Sequence, residues 1–126
     1  MQLNLERPTQ PNIIRSVSAG AQSCRIFVGE TALTQSLIIT PESIDLWEVT
    51  KISQLEARHF EQLSQLSVEV VVLGTGTTIE FPLPGLTQAL MSNHIGLEVM
   101  DTAAACRTYN ILANDGRKVA AALMLW

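Results

Sequence analysis

The stretch Met100-Asp101-Thr102-Ala103-Ala104-Ala105-Cys106-Arg107-Thr108-Tyr109-Asn110-Ile111-Leu112 decides how this chain is read. Asp101 or Thr102 suits a helix N-cap, because a short side-chain oxygen accepts a backbone N–H that the first turn leaves without a partner. The alanines that follow let a helix approach a sheet closely. At 3.6 residues per turn, Ala105, Cys106, Tyr109, Leu112 and Ala113 share one face, the expected core face. Ala103, Arg107, Asn110 and Asn114 form a second stripe beside it. The helix is predicted to run to about Asn114, with Asp115-Gly116 as a turn.

Apolar strands lie on both sides of this helix. Val68 to Leu73 is β-branched and almost wholly apolar, as a strand covered on both faces should be. Leu97 to Met100 reads as a short strand. In Arg117 to Trp126, Val119, Ala121, Leu123 and Leu125 face one way and Ala120, Ala122, Met124 and Trp126 the other. Both rows are apolar, so this strand is predicted to be central. Pro82 and Pro84 frame a short helix start, with Leu83, Leu86 and Leu90 on one face and Gly96 near its end. Ser53 to Glu56 has the pattern of a capping box, and Ile52, Leu55, Leu63 and Leu66 recur at helical spacing.

The first half is hairpin-like. Ile13 to Ser18 is a strand, Ala19 to Ser23 a turn, and Arg25 to Val28 a returning strand broken by Gly29-Glu30. Leu33 to Thr40 reads as a third strand stopped by Pro41. Glu42 to Lys51 is a connection, and the burial of Trp47 within it stays open. Residues 1–12, mostly polar and broken by Pro8 and Pro11, form an N-terminal arm. The expected fold class is α/β: residues 13–126 form a single three-layer domain with a mixed central β-sheet and helices on both faces.

Composition excludes several classes. A chain of 126 residues with 47% apolar content has enough material for a core. A net charge of −4 argues against a nucleic-acid backbone binder. No apolar run reaches the roughly 18–20 residues of a membrane span. The first residues carry neither a secretion signal nor the Arg- and Ser-rich pattern of a transit peptide. Cys24 and Cys106 have no CxxC partner and read as free, buried thiols, so the expected location is the cytoplasm.

Two places can carry chemistry. Arg107 and Asn110 are three residues apart and therefore neighbours on the helix, a pair suited to a carboxylate or another planar polar group. They read more simply as a solvated or salt-bridged surface arginine and an asparagine tying a loop to the helix. Gly74-Thr75-Gly76 follows a central strand, where backbone amides can turn toward an anion. It reads also as a tight strand-ending turn, since a dinucleotide fingerprint needs glycine where Ile79 stands and no P-loop lysine follows. If the strands before Gly74 and Asp101 are parallel neighbours, Gly74, Thr75, Gly76, Thr102, Arg107 and Asn110 line one ligand-binding pocket. His59 on an apolar stripe reads as a hydrogen-bonded packing residue, and His94 at a helix end as a dipole partner. No nucleophile–histidine pattern, metal-ligand spacing or cofactor motif is present. A catalytic residue, a metal and a cofactor are therefore not expected.

Val70 to Gly76, Glu98 to Thr102, Ala105 to Leu112 and Gly116 to Leu123 together resemble one small-domain family, over about Ile13 to Leu123. The family is largely uncharacterised in bacteria and archaea. It includes mitochondrial assembly factors of respiratory complex I (NADH:ubiquinone oxidoreductase) and an adipogenesis-associated protein. The resemblance implies a compact three-layer α/β fold with a mixed sheet and no established activity, metal or cofactor. Asp115 stands where the family pattern more commonly has Glu. The short amino terminus fits a bacterial cytosolic member. The expected function is a non-catalytic binding or assembly-factor-like protein with a protein partner and an open oligomeric state. The alternative is a protein or enzyme binding a small anionic ligand near Gly74–Gly76 and Arg107/Asn110.

Overall fold

A computed structural model describes residues 11–126. Strands β1 (Ile14–Ala19), β2 (Cys24–Val28) and β3 (Thr31–Leu33) form an antiparallel meander. A hairpin of β4 (Leu37–Thr40) and β5 (Ser43–Leu46) follows, then α1 (Ala57–Ser64), β6 (Val70–Gly74), α2 (Gln88–Ser92), β7 (Gly96–Met100), α3 (Thr102–Asn114) and β8 (Val119–Leu123). The last five strands in chain order make a second sheet, β5-β4-β8-β6-β7. Within it β6 is parallel to both β7 and β8, whereas β4 is antiparallel to β8 and β5. This is the mixed central sheet of the expected α/β class, and β6 and β8 are interior, as their two apolar rows require.

Right-handed crossovers place the helices. The chain moves one way along the sheet from β6 to β7 and the opposite way from β7 to β8. The same hand therefore sends α2 and α3 to opposite faces. On one face, Val72, Ala121 and Leu123 pack against Ala105 and Tyr109 of α3 and against Ile26 of the three-stranded sheet. On the other, Val71, Leu73 and Ala122 meet Phe60 and Leu63 of α1 and Leu90 of α2.

Several local expectations change. The run Leu33–Thr40 is not one strand: it ends β3 at Leu33 and begins β4 at Leu37, passing from one sheet to the other at Thr34–Ser36. Buried Ser36 fixes that crossing, its hydroxyl accepting the Leu125 N–H at 3.0 Å. Glu42–Lys51 is not simply a connection, since Ser43–Leu46 pairs with β4. α1 is capped at Glu56 rather than Ser53, and His59 Nδ1 accepts the Glu56 N–H at 2.9 Å. Ser53 lies in a 3-10 turn, Ile52–Gln54.

Leu83 is 72% exposed, not part of the buried face that Leu90 anchors. Gly96 opens β7, and the left-handed position after α2 belongs to His94 (φ 57°). Trp126 packs with Leu123 and Leu125, not with the opposite row. Of the expected arm, residues 1–10 lie outside the described residues. Asn12 is tied down, its N–H donating to Pro41 O and its Nδ2 to Thr40 O.

Candidate functional site

β6 and β7 are parallel neighbours whose following helices go to opposite faces. Open α/β sheets bind ligands at such a switch point, beyond the strand carboxyl ends. Here the two loops are stitched together. The Thr75 N–H donates to Met100 O and the Thr102 N–H to Gly76 O, both at 2.9 Å. The Gly76 N–H donates to Thr102 Oγ1 at 2.9 Å, and that hydroxyl donates to Met124 O at 2.8 Å. The Met124 N–H returns to Gly74 O at 2.9 Å. Thr102, fully buried, thus joins the ends of β6 and β8 to the first turn of α3.

Thr75 is buried as well. Its hydroxyl donates toward Thr78 O at 2.6 Å and accepts the Glu80 N–H at 3.0 Å, which folds the loop back on itself. The amides of Thr75 and Gly76 therefore point to protein acceptors. Gly74 serves close approach: a Cβ there would lie 3.0 Å from Thr102 Cα and Leu123 Cδ2. Asp101 is the N-cap of α3, its Oδ1 accepting the Ala104 N–H at 2.9 Å.

Arg107 and Asn110 stand further along α3, beside β1 rather than over the glycine loop. At about 1.5 Å per residue, Arg107 is roughly 7.5 Å along the axis from Thr102. Asn110 Oδ1 accepts the Ile14 N–H at 2.9 Å and its Nδ2 donates to Ile14 O at 2.8 Å. Arg107 is exposed and lines a groove of about 390 Å³ between α3 and β1, with Asn110 and Cys106. A second hollow of about 340 Å³ holds Gly76 and Asp101 and shares Ala19 and Ala103 with the first. The six expected residues thus divide into the stitched loop (Gly74, Thr75, Gly76, Thr102) and the β1–α3 groove (Arg107, Asn110).

The titratable groups around these places are held by packing. Burial pushes the Cys106 thiol up to about 12, with nearby Cys24 and Asp101 acting in the same direction and Arg107 against them. Cys24 is raised chiefly by burial, and both cysteines are free. Burial also raises the Tyr109 phenol, which donates to Asn12 O at 2.7 Å. His59 is 1% exposed, and its Nδ1 is an acceptor, so the ring proton lies on Nε2, 2.9 Å from Glu48 Oε1. That hydrogen bond, followed by Arg58, holds the Glu48 carboxyl below its usual range. Trp47 is buried edge-to-face against His59, ring centres 6.1 Å apart. His59 is thus a packing residue with both nitrogens engaged. Among the described residues no group of three or more His, Cys, Asp or Glu is placed to hold a metal ion. No helix among the described residues is long and apolar enough to cross a membrane.

A further feature is absent from the sequence expectations. Ile79 is 50% exposed, Phe81 71% and Met91 65%. With Leu83 they are four of the five large apolar side chains exposed among the described residues. The signal was the alternation Ile79-x-Phe81-x-Leu83 between a buried strand and a short helix, with no buried row for it to join.

Comparison with known proteins agrees with this architecture. Assembly factor 3 of the NADH dehydrogenase [ubiquinone] 1 alpha subcomplex from Mus musculus is 34% identical over 89 residues, covering 69% of this chain and 48% of the relative. The Homo sapiens protein of the same name is 34% identical over 88 residues, covering 68% and 48%. The chain spans about half the length of these curated relatives. A crystal structure from Bordetella parapertussis is similar with a TM-score of 0.83 and 31% identity, over 92% of this chain and 97% of that one. An NMR structure from Bordetella pertussis, titled a Mth938-like domain, is similar with a TM-score of 0.78 and 26% identity, over 98% and 92%. Residues 18–124 match the family described as protein of unknown function (DUF498/DUF598), and the chain belongs to that family.

Proposed function

We propose that this chain is a non-catalytic, assembly-factor-like binding protein of the cytosol that holds a polypeptide partner through the apolar segment 79–83 and Met91. The observation that carries this reading is the exposure of Ile79, Phe81, Leu83 and Met91 in one short stretch of an otherwise well-buried chain. The three side chains Ile79, Phe81 and Leu83 lie within five residues of an irregular segment that Pro82 and Pro84 stiffen. Exposed apolar side chains gathered this way mark interaction surfaces. The names of the relatives support a protein partner. The two free buried thiols support a reducing compartment.

Affinity purification from native cells tests it, with the wild-type chain beside a Phe81→Asp/Leu83→Asp variant of matched circular dichroism. The expected result is a partner retained by the wild type through stringent washing and lost by the variant. Self-association alone, or equal retention by both, contradicts it.

A second reading, a small anionic ligand, is supported by Arg107, which lines its groove with no carboxylate in ion-pair reach among the described residues. Thermal-shift screening with phosphate and small carboxylates tests that reading. It fails if none stabilises the chain, or if Arg107→Ala leaves the stabilisation unchanged.

A further inference from the structure

Among the described residues no strand pairs with the outer edge of β1, and its register shows which backbone groups that edge offers. The Gly20 N–H donates to Ser23 O across the hairpin turn, so that pair is hydrogen-bonded. Bonded and non-bonded pairs alternate along an antiparallel ladder. Ala19↔Cys24 is therefore non-bonded, Ser18↔Arg25 bonded and Val17↔Ile26 non-bonded. The Cys24 N–H agrees, since it turns away from β1 to Trp126 O. Val17 and Ala19 thus aim their N–H and C=O groups away from β2. Ile14 does the same, as its side-chain partner Asn110 demonstrates. The irregularity between Ile14 and Ser16 absorbs the odd residue that separates these outward positions.

Among the described residues, the Ile14 end of this edge is closed and the rest is not. Asn110 offers one acceptor and one donor to the N–H and C=O of one residue, as a neighbouring strand would. Among the described residues, Val17 and Ala19 make no hydrogen bond on that side. Ser16–Ala19 hold no proline or lysine of the kind that blocks a free edge. The groove beside the edge has a floor of small side chains, Ala103 and Cys106, and continues past Ala19 into the second hollow. Arg107 lines it from α3, whereas Arg15 turns its guanidinium across to β2, its Nε donating to Gly29 O at 2.8 Å and its Cζ lying 5.2 Å from the Phe27 ring centre. Arg58 and Arg117 are spent on Glu48 and Glu69, whereas the exposed Arg107 has no ion-pair partner among the described residues. On a chain of net charge −4, Arg107 is a local basic point beside this edge, with Asp101 further along in the second hollow, where it caps α3.

We propose that the outer edge of β1 accepts an extended acidic polypeptide segment as an added strand. Its backbone pairs with Val17 and Ala19, and a carboxylate meets Arg107. Strand addition takes affinity from main-chain bonds and selectivity from flanking side chains. A planar guanidinium suits a carboxylate. The inference deepens the partner-binding reading and rests on it for the class of partner, but it uses a different surface from residues 79–91.

The test is fluorescence anisotropy of the full chain with a labelled eight-residue peptide alternating valine and aspartate, beside its lysine counterpart. The expected result is saturable binding of the acidic peptide and at least roughly tenfold weaker binding of the lysine one, a tenfold step being the usual scale of one charge-assisted contact. Arg107→Glu should reverse that preference. N-methylation of alternate peptide amides should abolish binding in one phase and spare it in the other, because only every second residue pairs with an edge. Val17→Pro, which removes an outward N–H and no bond to β2, should weaken binding likewise.

Equal binding of the two peptides, or equal tolerance of both N-methylation phases, overturns the proposal. So does displacement of the probe by a peptide of residues 1–10 at lower concentration than by the unlabelled acidic peptide, which assigns the edge to this chain's own arm. Probe binding lost as the chain self-associates assigns it to a second copy and also overturns it. Failure here with a partner still held through Phe81 and Leu83 leaves the reading of residues 79–91 standing.

Discussion

The side-chain amide of Asn110 closes the backbone of Ile14, a residue 96 positions earlier, with bonds of 2.9 and 2.8 Å. It joins the first strand to the long helix on one face of the central sheet. With both functional groups spent in this way, Asn110 is a structural fastener before it is a ligand contact. Asn110→Ala should lower stability by about 1–3 kcal/mol, because two partly buried backbone groups lose their partner. Urea denaturation reads this as a lower midpoint at unchanged slope. An unchanged midpoint would mean that the Ile14 groups are satisfied by water.

Thr102 holds three segments through one oxygen, accepting from the Gly76 N–H and donating to Met124 O. Thr102→Val keeps the shape and removes both bonds, so it should cost about 2–4 kcal/mol. Thr102→Ser keeps both bonds and loses one methyl, which should cost about 1 kcal/mol. Chemical denaturation of the two variants separates hydrogen bonding from volume. Equal losses would show that the hydroxyl contributes little.

Gly74→Ala and Gly76→Ala should destabilise for different reasons. At Gly74 the new methyl meets Thr102 Cα at 3.0 Å, a backbone atom that moves only if α3 moves. Overpacking of this kind costs about 1–3 kcal/mol. At Gly76 nothing is within reach, but φ is 100°, which an L side chain rarely adopts. Thermal melts should fall for both, and an amide spectrum should show the α3 displacement only for the Gly74 variant.

Alkaline pH should loosen the fold through Cys106 and Tyr109. Burial raises both above their ordinary values, Cys106 to about 12. Between the ordinary thiol value near 9 and that raised value, the unfolded chain gives up its proton first. The native state then binds more protons, so stability falls as pH rises. Cys106→Ala should flatten the decline between about pH 9 and 11. Guanidine titrations at stepped pH measure it, and an unchanged slope would place the loss elsewhere.

The second half of the chain was legible because its signals are local. Two apolar rows in Val119–Leu125 announced a central strand, and the Asp101 cap and the Ala105/Tyr109 face announced α3. The first half hid what depends on distant partners. The switch of sheets at Thr34–Ser36 becomes visible only when Ser36 meets Leu125. The strand Ser43–Leu46 is marked by its pairing with β4, not by its composition. The grouping of the candidate residues was legible in part for the same reason. Parallel β6 and β7 do bring Gly76 to Thr102. The true partners of Asn110 and Tyr109, Ile14 and Asn12, lie 96 and 97 residues away. Nothing near α3 in sequence names them.

Hydrogen–deuterium exchange of the chain, alone and with the partner it retains, locates the partner's footprint. Exchange should slow over residues 77–91, around Phe81, Leu83 and Met91, with the stitched loop at Gly74–Gly76 and Thr102 already protected in the free chain. Unchanged exchange at 77–91, with new protection at Gly74–Gly76 and Thr102 instead, would contradict it.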